Sequence, residues 1–326
     1  GGVVIGIGEG ENFIASDIPA ILEYTRRVIF LESHQIAVVS PSEILVETLT
    51  GSKVPNKVNT IAWDAASAEK GEYRHFMQKE IHEQVRSLTE TLAGRVDFTE
   101  GKIFLPELAL TAEIVSKIND ITITACGTAA YAGMVGKLLI ETIGRIPCRL
   151  EIASEFRYFN PIIDEHSVVL AISQSGETAD TLAAMEEGRR KGAILWSIVN
   201  VVGSQAMRIA DGSISMQAGP EIGVASTKAF TAPLVDLYLL AILLADLRGI
   251  LGATERRSLV ADLRFIPDVV GRALAREPEI EHLAFLLKDM HNCLYLGRGI
   301  NMPIAYEGAL KLKEISYVHA EAYPAG

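Results

Sequence analysis

The fold is decided by one stretch of this sequence, Val168-Val169-Leu170-Ala171-Ile172-Ser173-Gln174-Ser175-Gly176-Glu177-Thr178-Ala179-Asp180-Thr181-Leu182. Its first part is an uninterrupted apolar run, which is typical of a strand buried on both faces of a parallel sheet. After a Ser/Gln/Ser/Gly turn, the pattern predicts a helix from about Thr178. Backbone N–H groups at a helix N-terminus attract anions. A capped turn is the simpler interpretation, but the density of hydroxyl and amide donors favours an anion site. Because the turn contains no lysine, it is not a Walker-type loop.

Composition places the chain among soluble globular proteins. It has 326 residues, enough for two or three domains, with 49% apolar residues and a net charge of −11. The negative charge argues against a nucleic-acid or anionic-membrane surface. The cysteines Cys126, Cys148 and Cys293 match neither a disulfide framework nor a metal site, which indicates a reducing, cytoplasmic location. The longest apolar stretch, Leu234 to Leu244, is too short to span a bilayer, so no membrane partner is expected.

Changes of pattern divide the chain into four regions. Residues 1–63 are β-rich, with short β-branched runs between turns. Residues 64–106 contain a polar linker followed by a helix from about Phe76. Residues 107–250 alternate helices and strands, which predicts an α/β fold with a doubly wound parallel sheet. Residues 251–326 contain connecting helices, then a strand, a glycine turn and a helix from Pro303 to His319 that repeat the start of that fold. We therefore expect a truncated second copy.

Three turns should meet at one edge of the sheet, because ligands bind outside the carboxyl ends of strands in a doubly wound sheet. They are residues 126–129, 173–178 and 219–228. Together they offer hydroxyl and backbone N–H groups without dense positive charge, which fits a phosphorylated polyol. NAD fits poorly because no G-x-G-x-x-G follows these strands, and we expect no cofactor. Cys126 is interpreted as a packed cysteine rather than a nucleophile.

The last predicted helix carries Glu307, Lys311 and Glu314 on one face, at i, i+4 and i+7. Spacing alone favours a solvated stripe of ion pairs. The alternative is a carboxylate base with an ammonium beside it. Isomerisation of a sugar phosphate needs both groups, a base near the C–H and a cation near the enediolate oxygen. The spacing leaves both interpretations open.

Four motifs, in order along the chain, resemble the sugar isomerase (SIS) domains of the glutamine–fructose-6-phosphate aminotransferase (isomerizing) family. They are Cys126-Gly127-Thr128, Ser173–Leu182, Glu221–Phe230 and Glu307–Ser316. In addition, Gly8–Asp17 and Phe76–Ile81 resemble the end of that family's class II, N-terminal-nucleophile glutaminase domain and the helix after its linker. The resemblance implies a SIS domain and the start of a second SIS repeat, preceded by a β-rich piece of glutaminase domain.

The family makes glucosamine 6-phosphate from fructose 6-phosphate and L-glutamine, towards UDP-N-acetylglucosamine, so the resemblance implies an aminotransferase with these ligands. Glu314 would move the proton between C1 and C2 of the sugar, and Lys311 would stabilise the charge that develops. Val224 and Ala225 would meet the sugar with backbone groups, beside Ser226. The resemblance also implies that the phosphate binds Ser173, Gln174, Ser175 and Thr178, with Thr128 and Ala129 as further substrate-binding residues. The family commonly has serine at the position of Ala129.

The resemblance also implies that this chain is an internal fragment. The family's N-terminal catalytic cysteine is not in the sequence, and its ring-opening histidine and imine-forming lysine should lie beyond Gly326. We therefore expect the chain alone to bind sugar phosphate weakly and to release no glutamate from glutamine. A homodimer is expected by analogy. A sugar-phosphate-binding regulator built on SIS domains and a fructosamine deglycase are the alternatives, and the glutaminase-like region 1–60 argues against both.

Overall fold

A computed structural model shows the fold of this chain and describes residues 3–16, 18–32, 34–61 and 69–326. Part of the predicted linker, residues 64–68, lies outside these ranges. The strands are β1 Val4–Ile7, β2 Asn12–Ala15, β3 Arg27–Phe30, β4 Gln35–Val39, β5 Ile44–Thr48, β6 Lys53–Val54, β7 Val58–Thr60, β8 Val96–Asp97, β9 Lys102–Ile103, β10 Asp120–Ala125, β11 Cys148–Ile152, β12 Ser167–Ser173, β13 Ile194–Val199, β14 Gly212–Ser215, β15 Asn292–Gly297 and β16 His319–Pro324.

The α-helices follow the same order along the described part of the chain. They are α1 Phe76–Leu92, α2 Ala112–Ser116, α3 Gly127–Leu139, α4 Ala153–Phe156, α5 Ala179–Arg190, α6 Gln205–Ile209, α7 Lys228–Leu247, α8 Ala253–Leu263, α9 Ile266–Leu274, α10 Glu277–Leu287 and α11 Asn301–Ser316. Short 3₁₀ turns lie at Pro19–Ile21 and Pro106–Leu108, and α3 continues as a π-helical turn over Ile140–Gly144.

The described residues up to 61 form two antiparallel sheets, with strand orders β2-β1-β3-β7 and β4-β5-β6. The first of these sheets packs on a small core that contains Val4, Val28 and Phe30, together with the short turn around Ile21. The β-rich character predicted for this region is confirmed. Val201, which lies in a loop of the following α/β unit, also packs against this core.

The centre of the molecule is a five-stranded sheet in the order β11-β10-β12-β13-β14, with every pairing parallel. All seven residues of β12 are buried, as expected for a strand covered on both faces. Its residues alternate between two cores: Leu170 belongs to the core that contains residues of α3 and α7, while Val169 belongs to the core with α5 and α6. The prediction of a doubly wound parallel sheet is therefore confirmed.

Helix α7 is the longest helix of the described residues and packs against α1 and α3. By length and composition it is apolar enough to cross a membrane, but 61% of its most apolar window is buried inside the protein. Its Lys228 and Asp236 are also buried, at 1% and 0% exposure. Burial of this extent is typical of a helix in the core of an α/β unit.

The C-terminal unit differs from the sequence prediction. The predicted helix to His319 is wrong at its end, because α11 stops at Ser316, where Tyr317 adopts a left-handed conformation with φ of 60°. Residues 319–324 instead form β16, which pairs in parallel with β15. The unit is therefore strand, helix and strand. Helix α11 packs on both strands and also on α3 of the central unit.

A buried ion pair joins three elements beneath the central sheet. Asp236 of α7 has 0% exposure and accepts a hydrogen bond from Arg95 Nη1 at 2.7 Å. Arg95 also donates to the carbonyl oxygens of Thr91, in α1, and Ser215, at the end of β14. Burial raises the pKa of Asp236, and the guanidinium of Arg95 acts in the opposite direction. The pair fixes α1 and β14 against the core helix.

Candidate functional site

A cavity of about 240 Å³ opens at the carboxyl ends of β10 and β12. The strand order reverses between these two neighbours: β11 lies on one side of β10, whereas β12, β13 and β14 follow on its other side. Ligand crevices form at such switch points. The volume is just below the roughly 300–1,000 Å³ of sites for drug-sized ligands, so a small molecule fits it. The lining residues are Cys126, Thr128, Ala129, Ile172, Ser173, Gln174, Ser175, Thr178, Thr181, Val224, Ser226, Lys311 and Glu314.

The turn between β12 and α5 is held by its own hydroxyl groups. The backbone N–H of Gly176 donates to Ser173 Oγ at 3.0 Å, and that of Glu177 donates to Ser175 Oγ at 3.1 Å. Ser173 Oγ also lies 3.1 Å from Thr178 Oγ1. A hydroxyl oxygen that accepts from the backbone keeps its hydrogen for another acceptor. The serine hydroxyls at this end of the cavity can therefore donate to a bound anion, next to the N-terminus of α5.

Gly176 is required by this turn. It has φ of +65°, and an added Cβ would lie 2.1 Å from Ser204 Oγ. We expect Gly176→Ala to lower the free energy of unfolding by about 3 kcal/mol, from left-handed strain plus overpacking. Gly192 is the matched control, because it has φ of +85° and nothing within 4 Å of its Cβ position. Gly192→Ala should cost only about 1 kcal/mol. Urea denaturation measures both, and equal costs would contradict this account of the turn.

The loop 219–228 is anchored by α1, which sequence analysis did not connect to the site. Glu80 accepts hydrogen bonds from the backbone N–H of Ile222 at 2.6 Å and of Gly223 at 3.0 Å. Lys228 at the loop's end contacts Glu83 at 2.8 Å. Burial raises the pKa of Glu80, while the two backbone hydrogen bonds lower it. No local pattern could show these contacts, because Glu80 and Ile222 are 142 positions apart.

Helix α11 forms the opposite wall of the cavity with Lys311 and Glu314. Lys311 Nζ lies 2.6 Å from Glu314 Oε2 and donates to Thr128 Oγ1 at 3.0 Å. Lys311 is the single cation among the cavity's lining residues in the described chain. Glu314 is 42% exposed at its side chain, so its carboxylate can reach a ligand. An ammonium and a carboxylate at one small cavity can stabilise an oxyanion and move a proton.

Cys126 lines the cavity between these two walls. Burial raises the pKa of its thiol, with a smaller opposite effect from hydrogen bonding at the backbone of Ser154. The thiol is therefore protonated at neutral pH and is a poor nucleophile. This agrees with its interpretation as a packed cysteine.

The structure brings most of the predicted site residues to one cavity. Ala225 is the exception: it is 2% exposed and does not line the cavity, whereas Val224 is fully exposed there. Glu307, which the spacing placed on the same stripe, lies behind the wall and accepts from Thr128 Oγ1 at 3.1 Å. Thr181 was not predicted and lines the cavity from α5. The predicted residues that line it are Thr128, Ala129, Ser173, Gln174, Ser175, Thr178, Val224, Ser226, Lys311 and Glu314.

The central unit matches the family described as SIS domain over residues 114–243. The doubly wound sheet with its hydroxyl-rich turn therefore defines the class, a protein with a SIS domain. Glutamine–fructose-6-phosphate aminotransferase (isomerizing) from Caldanaerobacter subterraneus is 48% identical over 99% of this chain. The enzyme of the same name from Symbiobacterium thermophilum is 47% identical over 99% of the chain. The chain spans about half, 53%, of the length of each of these curated relatives.

A solved structure supports the same assignment. The C-terminal domain of glucosamine-fructose-6-phosphate aminotransferase from Francisella tularensis is 41% identical to this chain, with a TM-score of 0.74. The match covers 78% of this chain and 71% of that one. The chain belongs to the glutamine–fructose-6-phosphate aminotransferase (isomerizing) family.

Proposed function

We propose that this chain supplies the fructose 6-phosphate site of an enzyme that makes glucosamine 6-phosphate with glutamine as the nitrogen donor. One observation carries the proposal: the turn 173–178, the start of α3, the loop 219–228 and the Lys311–Glu314 pair all line one cavity of about 240 Å³. The names of the relatives support this reaction over a non-catalytic regulator or a deglycase.

The phosphate of the sugar would bind the turn before α5. Ser173, Ser175 and Thr178 offer hydroxyl donors there, and the amide of Gln174 lies beside them. Val224 and Ser226 would meet the sugar chain from the loop before α7, with Ala129 across the cavity. A phosphate held by neutral donors and a helix N-terminus needs no cluster of lysines.

Glu314 and Lys311 would carry the isomerisation. The Glu314 carboxylate takes the proton from one of the adjacent carbons C1 and C2 and returns it to the other. Lys311 places its ammonium beside the oxygen that becomes negative in the intermediate. The two groups are already 2.6 Å apart in the structure, so the ion pair must open for Glu314 to act as a base.

Fructose 6-phosphate binding by this chain tests the site. Thr178→Val removes one hydroxyl at nearly constant volume, and we expect about tenfold weaker binding by calorimetry, since a lost hydrogen bond to a charged group costs about 1.5 kcal/mol. Ser173→Ala should weaken binding similarly. Thr142→Val is the control, because Thr142 is exposed and donates only to its own helix turn. Equal affinities for unaltered chain and Thr178→Val would rule out the phosphate site.

The wider features of the enzyme are part of the same proposal. Residues 1–63 would belong to the end of a glutaminase domain, 64–106 to a linker and helix, 107–250 to the first SIS domain, and 251–326 to the second. L-glutamine would be hydrolysed by another part of the complete protein. We propose a cytoplasmic homodimer without nucleic-acid or membrane partners, and gel filtration with light scattering tests the dimer.

A further inference from the structure

The cavity wall is supported from behind by a buried carboxylate. Glu307 has 5% exposure and lies one helical turn before Lys311 on α11. Its Oε1 accepts a hydrogen bond from Thr128 Oγ1 at 3.1 Å and lies 3.5 Å from Lys311 Nζ. Its Oε2 is buried and has no hydrogen-bond partner among the described residues. A buried carboxylate with one unpartnered oxygen is costly, so a contribution to stability does not account for Glu307 at this position.

The Thr128 hydroxyl has two partners within this wall. It accepts a hydrogen bond from Lys311 Nζ at 3.0 Å and donates its hydrogen to Glu307. Its hydrogen is therefore not available to the phosphate, unlike those of the serines in the turn 173–178. The chain of contacts runs from the Glu307 carboxylate through the Thr128 hydroxyl to the Lys311 ammonium.

We infer that Glu307, acting through Thr128, is a positioning residue that holds the Lys311 ammonium where negative charge develops on the sugar and keeps it from pairing wholly with Glu314. The inference rests on the proposed function. Lys311 stands between two carboxylates, with Glu307 at 3.5 Å and Glu314 at 2.6 Å. If Glu307 lost its charge, Lys311 would be drawn to Glu314 alone, and this would tie up the base.

The charge of Glu307 changes near neutral pH. Burial raises its pKa to about 7, while Lys311 and the Thr128 hydrogen bond lower it. Because this pKa is raised, Glu307 is mostly protonated below pH 7 and becomes ionised as the pH rises. Titratable groups face Glu307 from each element around it. On α11 itself these are Lys311, Glu314 and Tyr306. The neighbouring elements contribute Tyr131 from α3, which stacks on Tyr306, Tyr295 from β15, which contacts Gly308, and Tyr323 from β16, which lies near Tyr306.

Glu307→Gln tests the inference in the complete protein that carries this chain. The amide keeps an oxygen acceptor for Thr128 but has no charge. We expect kcat for glucosamine 6-phosphate formation to fall about tenfold at pH 8, with KM for fructose 6-phosphate within a factor of about two, because the phosphate turn is unchanged. In the unaltered enzyme kcat should rise as the pH passes about 7, where Glu307 becomes ionised. This rise should disappear in the Glu307→Gln variant. Thr128→Val should lower kcat similarly, and Thr128→Ser should recover most of that loss.

Glu113→Gln is the matched control, because Glu113 pairs with Lys117 at the same i, i+4 spacing on the exposed surface of α2. A Glu307→Gln enzyme with unaltered kcat and an unaltered pH profile would overturn the positioning role alone. If the unaltered complete protein formed no glucosamine 6-phosphate, the proposed function would fail as well. Loss of kcat together with a large rise in KM would also count against the inference, since it would indicate a distorted phosphate site.

Discussion

Glu314→Gln is expected to lower kcat for glucosamine 6-phosphate formation by about a thousandfold, the size of effect when a general base is removed. Glutamine at this position cannot accept the proton from the sugar carbon. The Lys311 ammonium and the hydroxyl groups of the turn 173–178 are unaltered, so fructose 6-phosphate should still bind with an affinity within about threefold of the original. Steady-state kinetics of the complete protein and calorimetry with this chain measure the two effects separately.

The control for this substitution is Glu279→Gln. Glu279 of α10 pairs with Arg276, the residue just before that helix, at the same i, i+3 spacing as Lys311 and Glu314, and it does not line the cavity. It should leave kcat unchanged. A kcat for Glu314→Gln within tenfold of the unaltered enzyme would show that another group moves the proton.

Asp236→Ala is expected to lower the free energy of unfolding by about 3–5 kcal/mol, because it removes the nearer counter-charge of the buried Arg95 guanidinium and leaves only the partly exposed carboxylate of Glu107, at 3.8 Å. Arg95 is 3% exposed, so its guanidinium is shielded from water. Chemical denaturation of this chain measures the change. Replacing both partners by apolar residues, as in Arg95→Met with Asp236→Leu, should recover most of the lost stability, since the pair as a whole is close to neutral energetically.

Helix α7 carries its own control for this prediction. Asp246 pairs with Arg256, and both side chains are partly exposed, at 32% and 15%. Asp246→Asn should cost less than about 1 kcal/mol, as for other exposed ion pairs. A cost for Asp236→Ala no larger than that of Asp246→Asn would mean that the buried pair does not stabilise the junction of α1, α7 and β14.

The central unit was predictable because its signals are local. The apolar run 168–172 indicates a strand buried on both faces, and the alternation of helices and strands around it indicates a parallel sheet. The turn 173–178 was equally readable, since its donors are consecutive in sequence. Its place at the switch point then followed from the rule for parallel sheets. The roles of the individual site residues stay predictions, although the structure gathers most of them at one cavity.

The errors have tertiary causes. Residues 317–324 follow a helix directly, and their pairing with β15 could not be seen in the sequence, because a parallel partner contributes no local pattern. Spacing placed Glu307, Lys311 and Glu314 on one stripe but could not show that Glu307 is buried against α3 while Glu314 faces the cavity. Glu80 lies in the segment Phe76–Ile81 that resembles the family, but the sequence did not indicate its contacts with the site, since its partners lie on a loop far along the chain. The role of Ala225, which the resemblance places at the sugar through its backbone groups, stays a prediction, and the residue is 2% exposed.

The contact between Thr128 and Glu307 joins positions 179 residues apart, and this separation has a consequence for biosynthesis. The ribosome completes the turn 173–178 and the central strands long before α11 emerges. Closure over so many residues is slow compared with local folding, so the nascent chain holds an incomplete binding site in which the face of α3 that α11 covers is still exposed. A sugar phosphate that bridges both walls would bind only the docked form and would favour it by mass action. Under our proposal, bound substrate would thus stabilise the docked arrangement of α11 on α3 as well as occupy the cavity.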